Sequence, residues 1–168
     1  MLAALPEIAH ASNIWADAYF GDRWHGVAST DAITDATVFS VYVVTATVND
    51  TTLGPDVARV GLTCRAGKAR LVFEWNFKAA GAANLTVEYR FEGRPGRSVK
   101  ARYVNRMLEE ATAVADIRQF LADARESQSL TVRVNSDMYG VSTATFRTKA
   151  GADTAARFAA ACPVVSPR

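Results

Sequence analysis

From residue 36 onward, apolar and polar side chains alternate with a period of two. The stretch 36–48 is thick with Val, Thr, Phe and Tyr, which suit the pleated surface of a strand. Turn formers interrupt it from Asn49 to Asp56, and the next strand runs from Val57 to Cys64 with Ala58, Val60, Leu62 and Cys64 in phase. Beyond Arg65-Ala66-Gly67-Lys68, residues Leu71, Phe73, Trp75 and Phe77 face one way while Arg70, Glu74 and Asn76 face the other. Leu85, Val87, Tyr89 and Phe91 repeat the pattern against Thr86, Glu88, Arg90 and Glu92. Such alternation belongs to antiparallel strands with one wet face.

After the turn Gly93-Arg94-Pro95-Gly96, strands are expected at 98–104 and about 108–115. Asp116-Ile117-Arg118-Gln119 has the form of a capping box, with Asp116 as N-cap. Behind it, Ile117, Phe120, Leu121 and Ala124 share one helical face. Leu130, Val132 and Val134 alternate again, 135–140 turns, and 141–147 returns. A final alanine-rich helix follows Gly151, with Ala155, Phe158, Ala159 and Cys162 on one face. The prediction is a mainly β domain: an antiparallel β-sandwich or curled sheet of seven to eight strands, two short helices covering an edge or end. Residues 1–35 read as an N-terminal appendage packing on the single β-rich domain of 36–168. A helix over 13–20 is expected there, with irregular structure beyond Gly21 and Gly26.

Composition narrows the function classes more than it selects one. At 168 residues, 49% hydrophobic and 21% charged, the chain suits one globular domain with a substantial core. A net charge of +2 is too small to argue for nucleic acid. No apolar run approaches the roughly 18 residues of a membrane helix. HExxH, Walker, GxSxG and CxxC motifs are absent, and two histidines with two cysteines offer no zinc-ligand spacing. No enzyme activity, cofactor or metal is implied. The N-terminus leaves the compartment open: its first Lys or Arg is Arg23, whereas Ala9-His10-Ala11 has the form of a cleavage site.

Four features remain as candidates. Cys64 and Cys162, the only cysteines, each fall on the inward face of their element. They are either a bonded pair bracing the first half to the last helix or two buried thiols acting as small hydrophobes. Trp15, Tyr19, Phe20 and Trp24 place four aromatics in ten residues, a partner surface if exposed and core filling if docked on the sheet. Arg94, Arg97, Lys100 and Arg102 form a basic ridge on a hairpin that meets an anion or stands as solvated, locally paired charge. Asp22 and His25 invite an acid–base reading, but no third group orients the histidine, and a hydrated loop or capping role is the stronger reading.

The stretch 34–162 resembles the accessory family of type VI secretion often called VasI, whose members are exported to the periplasm of Gram-negative bacteria. The resemblance lies in Thr34-Asp35 before a Val-rich strand, Leu62-Thr63-Cys64, a Gly turn, Leu71-Val72-Phe73-Glu74-Trp75, and Val87-Glu88-Tyr89-Arg90-Phe91 before a Gly-Arg turn. It continues through Ile117 to Leu121, Leu130-Thr131-Val132-Arg133-Val134, Thr143-Ala144-Thr145-Phe146, Gly151 and a last helix ending at Cys162. It implies a Cys64–Cys162 disulfide and a non-enzymatic periplasmic protein that binds secretion-system components. The alternative is a phage or virion-associated structural protein using a related β domain, made in the cytoplasm and packing against virion components. Neither reading involves a small-molecule substrate or a membrane span.

Overall fold

The computed structural model describes residues 24–46, 48–49, 57–75, 85–104, 107–110, 114–136 and 140–165. Ten strands run through them: β1 (His25–Thr30), β2 (Thr37–Ala46), β3 (Val48–Asn49), β4 (Val57–Arg65), β5 (Lys68–Trp75), β6 (Leu85–Phe91), β7 (Arg97–Val104), β8 (Met107–Glu110), β9 (Ser129–Ser136) and β10 (Gly140–Arg147). Helix α1 (Val114–Glu126) lies between β8 and β9, and α2 (Gly151–Ala161) follows β10 and leads into a 3-10 turn at Pro163–Val165. The expected mainly β architecture with two helices is what the chain forms.

All pairings are antiparallel, in the order β1-β2-β4-β5-β8-β7-β6-β9-β10-β3. The sheet curls into two layers because β7 changes partner along its length. Arg97–Ala101 pairs with β6, and Arg102–Val104 pairs with β8. A second bridge forms where β3, one residue after β2, pairs with Ser142 and Thr143 of β10. Between the layers lie the phases that the alternation predicts: Ala58, Val60, Leu62 and Cys64; Leu71 and Phe73; Val87, Tyr89 and Phe91; Leu130, Val132 and Val134. Phe77 and the side chains of Trp75 and Leu85 lie outside the described residues.

The helices close this core. The apolar stripe of α1 buries Ile117, Phe120, Leu121 and Ala124. Phe120 meets Phe91 and Tyr89 of β6, and Trp24 just before β1, edge-on, with centroids 4.9, 5.7 and 6.2 Å away. Phe158 of α2 packs on Phe39 of β2 at 6.2 Å. Gly151 lets α2 start directly against α1, since a Cβ there would sit 1.8 Å from the Ala124 carbonyl oxygen. Cys64 on β4 is bonded to Cys162 at the end of α2, with Cα atoms 5.8 Å apart across 98 residues of chain, and both are buried.

Three boundaries differ from the sequence expectation. Helix α1 begins at Val114, so Asp116 sits in its first turn instead of capping it, where its charge still complements the helix dipole. The strand expected over 108–115 is correspondingly short and ends at Glu110. Residues 25–30, expected to be irregular, form β1; pairing with β2 from His25↔Tyr42 to Thr30↔Thr37 overrides the weak strand preference of Gly26, Ala28 and Ser29. The helix expected over 13–20 lies outside the described residues.

Two substitutions measure how the helices are held. Replacing both cysteines by alanine removes the long-range tie, and urea unfolding should show a loss of about 2–5 kcal/mol. Gly151→Ala should cost about 3 kcal/mol, the upper end for overpacking, because backbone rather than a flexible side chain blocks the new methyl; an unchanged melting temperature would refute the close helix crossing.

Candidate functional site

The sequence candidates do not converge on one site. Cys64 and Cys162 are consumed in the disulfide and are inert as nucleophiles or ligands. Trp24 is 7% exposed and serves the core against Phe120, while Trp15, Tyr19 and Phe20 lie outside the described residues, as do Asp22 and His10. His25 stacks on Tyr42 at 5.7 Å and 28° between ring planes; its Nε2 is buried without a hydrogen-bond partner.

The basic ridge is divided. Arg94 is half-buried, donates to Glu126 and stands 3.7 Å from Asp123 on α1, so its charge fastens the β6–β7 turn to the helix. Arg97 is exposed at the start of β7. Lys100 lies opposite Thr86 and Arg102 opposite Glu109 in the strand register; their side chains lie outside the described residues.

A second polar row, unnoticed in the sequence, crosses the outer face of β1, β2, β4 and β5. The Arg59 guanidinium lies 4.9 Å from the centroid of Tyr42 and pairs with Glu74, its cross-strand neighbour. Gly61 sits opposite Tyr42 in β4, where a Cβ would lie 2.9 Å from that of the tyrosine and 2.4 Å from the Val41 carbonyl oxygen. The missing side chain lets Tyr42 lie between His25 and Arg59. Alternation places Arg59, Gly61 and Glu74 on the phase opposite the core and leaves His25 unmarked; the register that aligns them is set by pairing between strands distant in sequence.

The β1–β2 turn is pinned by Asp31. Its Oδ1 accepts from the Thr34 hydroxyl at 2.9 Å and from the backbone N–H groups of Thr34 and Ile33 at 2.9 and 3.1 Å, and its Oδ2 pairs with Arg65 at 2.5 Å. Those donors, the Thr34 hydroxyl foremost, hold the carboxyl below its ordinary value of 3.8, with Arg65 adding to the effect.

A cavity of about 320 Å³ opens between the end of the β1–β2 pair and the first turns of α2. Trp24, Gly26 and Val41 form its sheet side, and Ala150, Asp153, Thr154 and Arg157 its helix side. The Arg157 guanidinium packs over Gly26, 3.7 Å from where a Cβ would be. Ala150, in the left-handed region at φ 62°, supplies no side-chain cap to α2. The indole Nε1 of Trp24 is buried without a partner. No group of three or more metal-ligating side chains occurs among the described residues, and no described helix is long and apolar enough to cross a membrane. Compared with family models, characterised proteins and solved structures, the chain matches none.

Because the folded-state pKa of Asp31 is depressed, its contribution to stability is present above pH 3.8 and fades as pH falls through the lowered value. Asp31→Asn should therefore lower the melting temperature at neutral pH, and the gap to the parent protein should shrink in strong acid. A gap independent of pH would show that the carboxylate charge contributes nothing.

Proposed function

We propose that this chain is a non-enzymatic accessory protein of the bacterial envelope, associated with type VI secretion and acting through contacts with other proteins in the periplasm. The observation that carries this reading is the buried Cys64–Cys162 disulfide. Such bonds form and persist in oxidising compartments and are rare where thiols are kept reduced. The strand, turn and cysteine pattern shared with the VasI family supports the same compartment and a binding role. The polar groups described above also favour binding over catalysis. Among the described residues His25 stacks on an aromatic ring and makes no ion pair with a carboxylate, and Asp31 is committed to a turn.

Cross-linking in the native host followed by affinity capture should recover secretion-system proteins from the periplasmic fraction. The intact mass of the captured protein should rise by two hydrogens on reduction. Free thiols in freshly alkylated cells would overturn the periplasmic reading, and co-purification with virions would replace it with a structural phage role.

A further inference from the structure

β1 is an edge strand with the properties of a docking site. Among the described residues it pairs only with β2, and its outer edge is unpaired. Gly26 through Thr30 are exposed, Val27 at 45%, and the sequence His-Gly-Val-Ala-Ser-Thr holds no Lys, Asp, Glu or Pro. Edges that must not recruit another strand are usually blunted by charge, proline, a bulge or a cover. This one presents six residues of backbone with none of those charged or proline guards.

The cavity lies at the N-terminal end of this strand, and that placement gives the edge a direction. A strand added antiparallel to β1 would bring its own C-terminal end alongside His25 and Gly26. Its residue beside Gly26 would face the same side of the sheet as Gly26, towards the cavity, because paired residues share a face. There the groups present suit a chain terminus. Trp24 and Val41 line the cavity on the sheet side but are themselves buried in the core. Arg157 makes no ion pair among the described residues and stands over Gly26. The first-turn N–H groups of α2, without a side-chain cap, add partial positive charge on the helix side.

From this juxtaposition we propose that β1 and the adjoining cavity capture the free C-terminus of a partner protein as an added antiparallel strand. The terminal carboxylate would rest on Arg157, beside Gly26. Backbone pairing along β1 supplies affinity, and the terminal charge supplies register. Asp153 lines the same cavity and selects against an acidic last residue. The proposal rests on the reading of this chain as a protein-binding accessory and names the partner feature it recognises.

The test is selection of C-terminally displayed random heptapeptides on the full-length oxidised protein, followed by fluorescence anisotropy with a synthesised winner as free acid and as amide. Winners should end in a non-acidic residue. Amidation should weaken binding about tenfold, the scale of one charge-assisted hydrogen bond. Arg157→Ala should bring the free acid down to the affinity of the amide and leave the amide unchanged. N-methylation of alternate peptide nitrogens should abolish binding in one phase only.

Absence of enrichment, equal binding of acid and amide, or equal loss of both in Arg157→Ala would overturn the proposal. Native-host capture with the same variant separates this from the broader reading. A partner captured equally well by Arg157→Ala removes the terminus site and leaves the accessory role standing. Failure of the parent protein to capture any partner removes both.

Discussion

The bond between Cys64 and Cys162 is the constraint on which the rest of the molecule depends. A curled sheet of antiparallel strands has an open side, and helices that cover it must be held against strands remote in sequence. Here the covering helix comes last in the chain, and its end is tied to β4, near the centre of one layer. Both sulfurs are buried among the apolar residues they lock together. The bond thus removes unfolded conformations from a long loop and also keeps Phe158 seated on Phe39.

The same requirement explains the small residues at the helix crossing. Gly151 allows α2 to begin against the Ala124 carbonyl, and Ala155 continues the buried face. On the sheet side of the same helix, Phe120 meets Phe91 of β6 and Trp24 just before β1. Arg94, reaching from the β6–β7 turn to Asp123 and Glu126, fastens the other helix from outside. Ion pairs of this partly exposed kind contribute little individually. Their service here is orientation, and the apolar stripe of α1 supplies most of the binding energy to the sheet.

With its helices fixed, the molecule holds its described polar side chains in place on the sheet and its turns. Its polar clusters are mostly satisfied internally: Arg59 with Glu74 and Tyr42, Asp31 with Thr34 and Arg65. The cavity beside β1 differs from these. Its indole nitrogen lacks a partner, its helix lacks a side-chain cap, and Ala150 occupies a backbone region that disfavours side chains. Left-handed backbone also occurs at Asp35 and Ala66 and an unpartnered buried nitrogen at Arg118, but at this cavity the two features lie side by side.

Periodicity determined the core-facing phase of the strands and of α1, although Val72 and Glu74 on the opposite phase are buried as well. Ala58 through Cys64, Val87 through Phe91, Leu130 through Val134 and the stripe Ile117, Phe120, Leu121, Ala124 are legible because burial imposes a two- or 3.6-residue repeat on any local element. Three matters were decided only by tertiary structure. Residues 25–30 became a strand because β2 offered an edge, although glycine, alanine and serine do not favour one alone. The two cysteines had inward phases, but phase does not state distance, and their pairing followed from where the curled sheet places β4 beneath α2. The cavity joins residues from 24–26, 41 and 150–157, and no local pattern marks them as neighbours. Local sequence sets the face a side chain occupies; which faces meet depends on strand order and curl, which arise from pairing between distant segments.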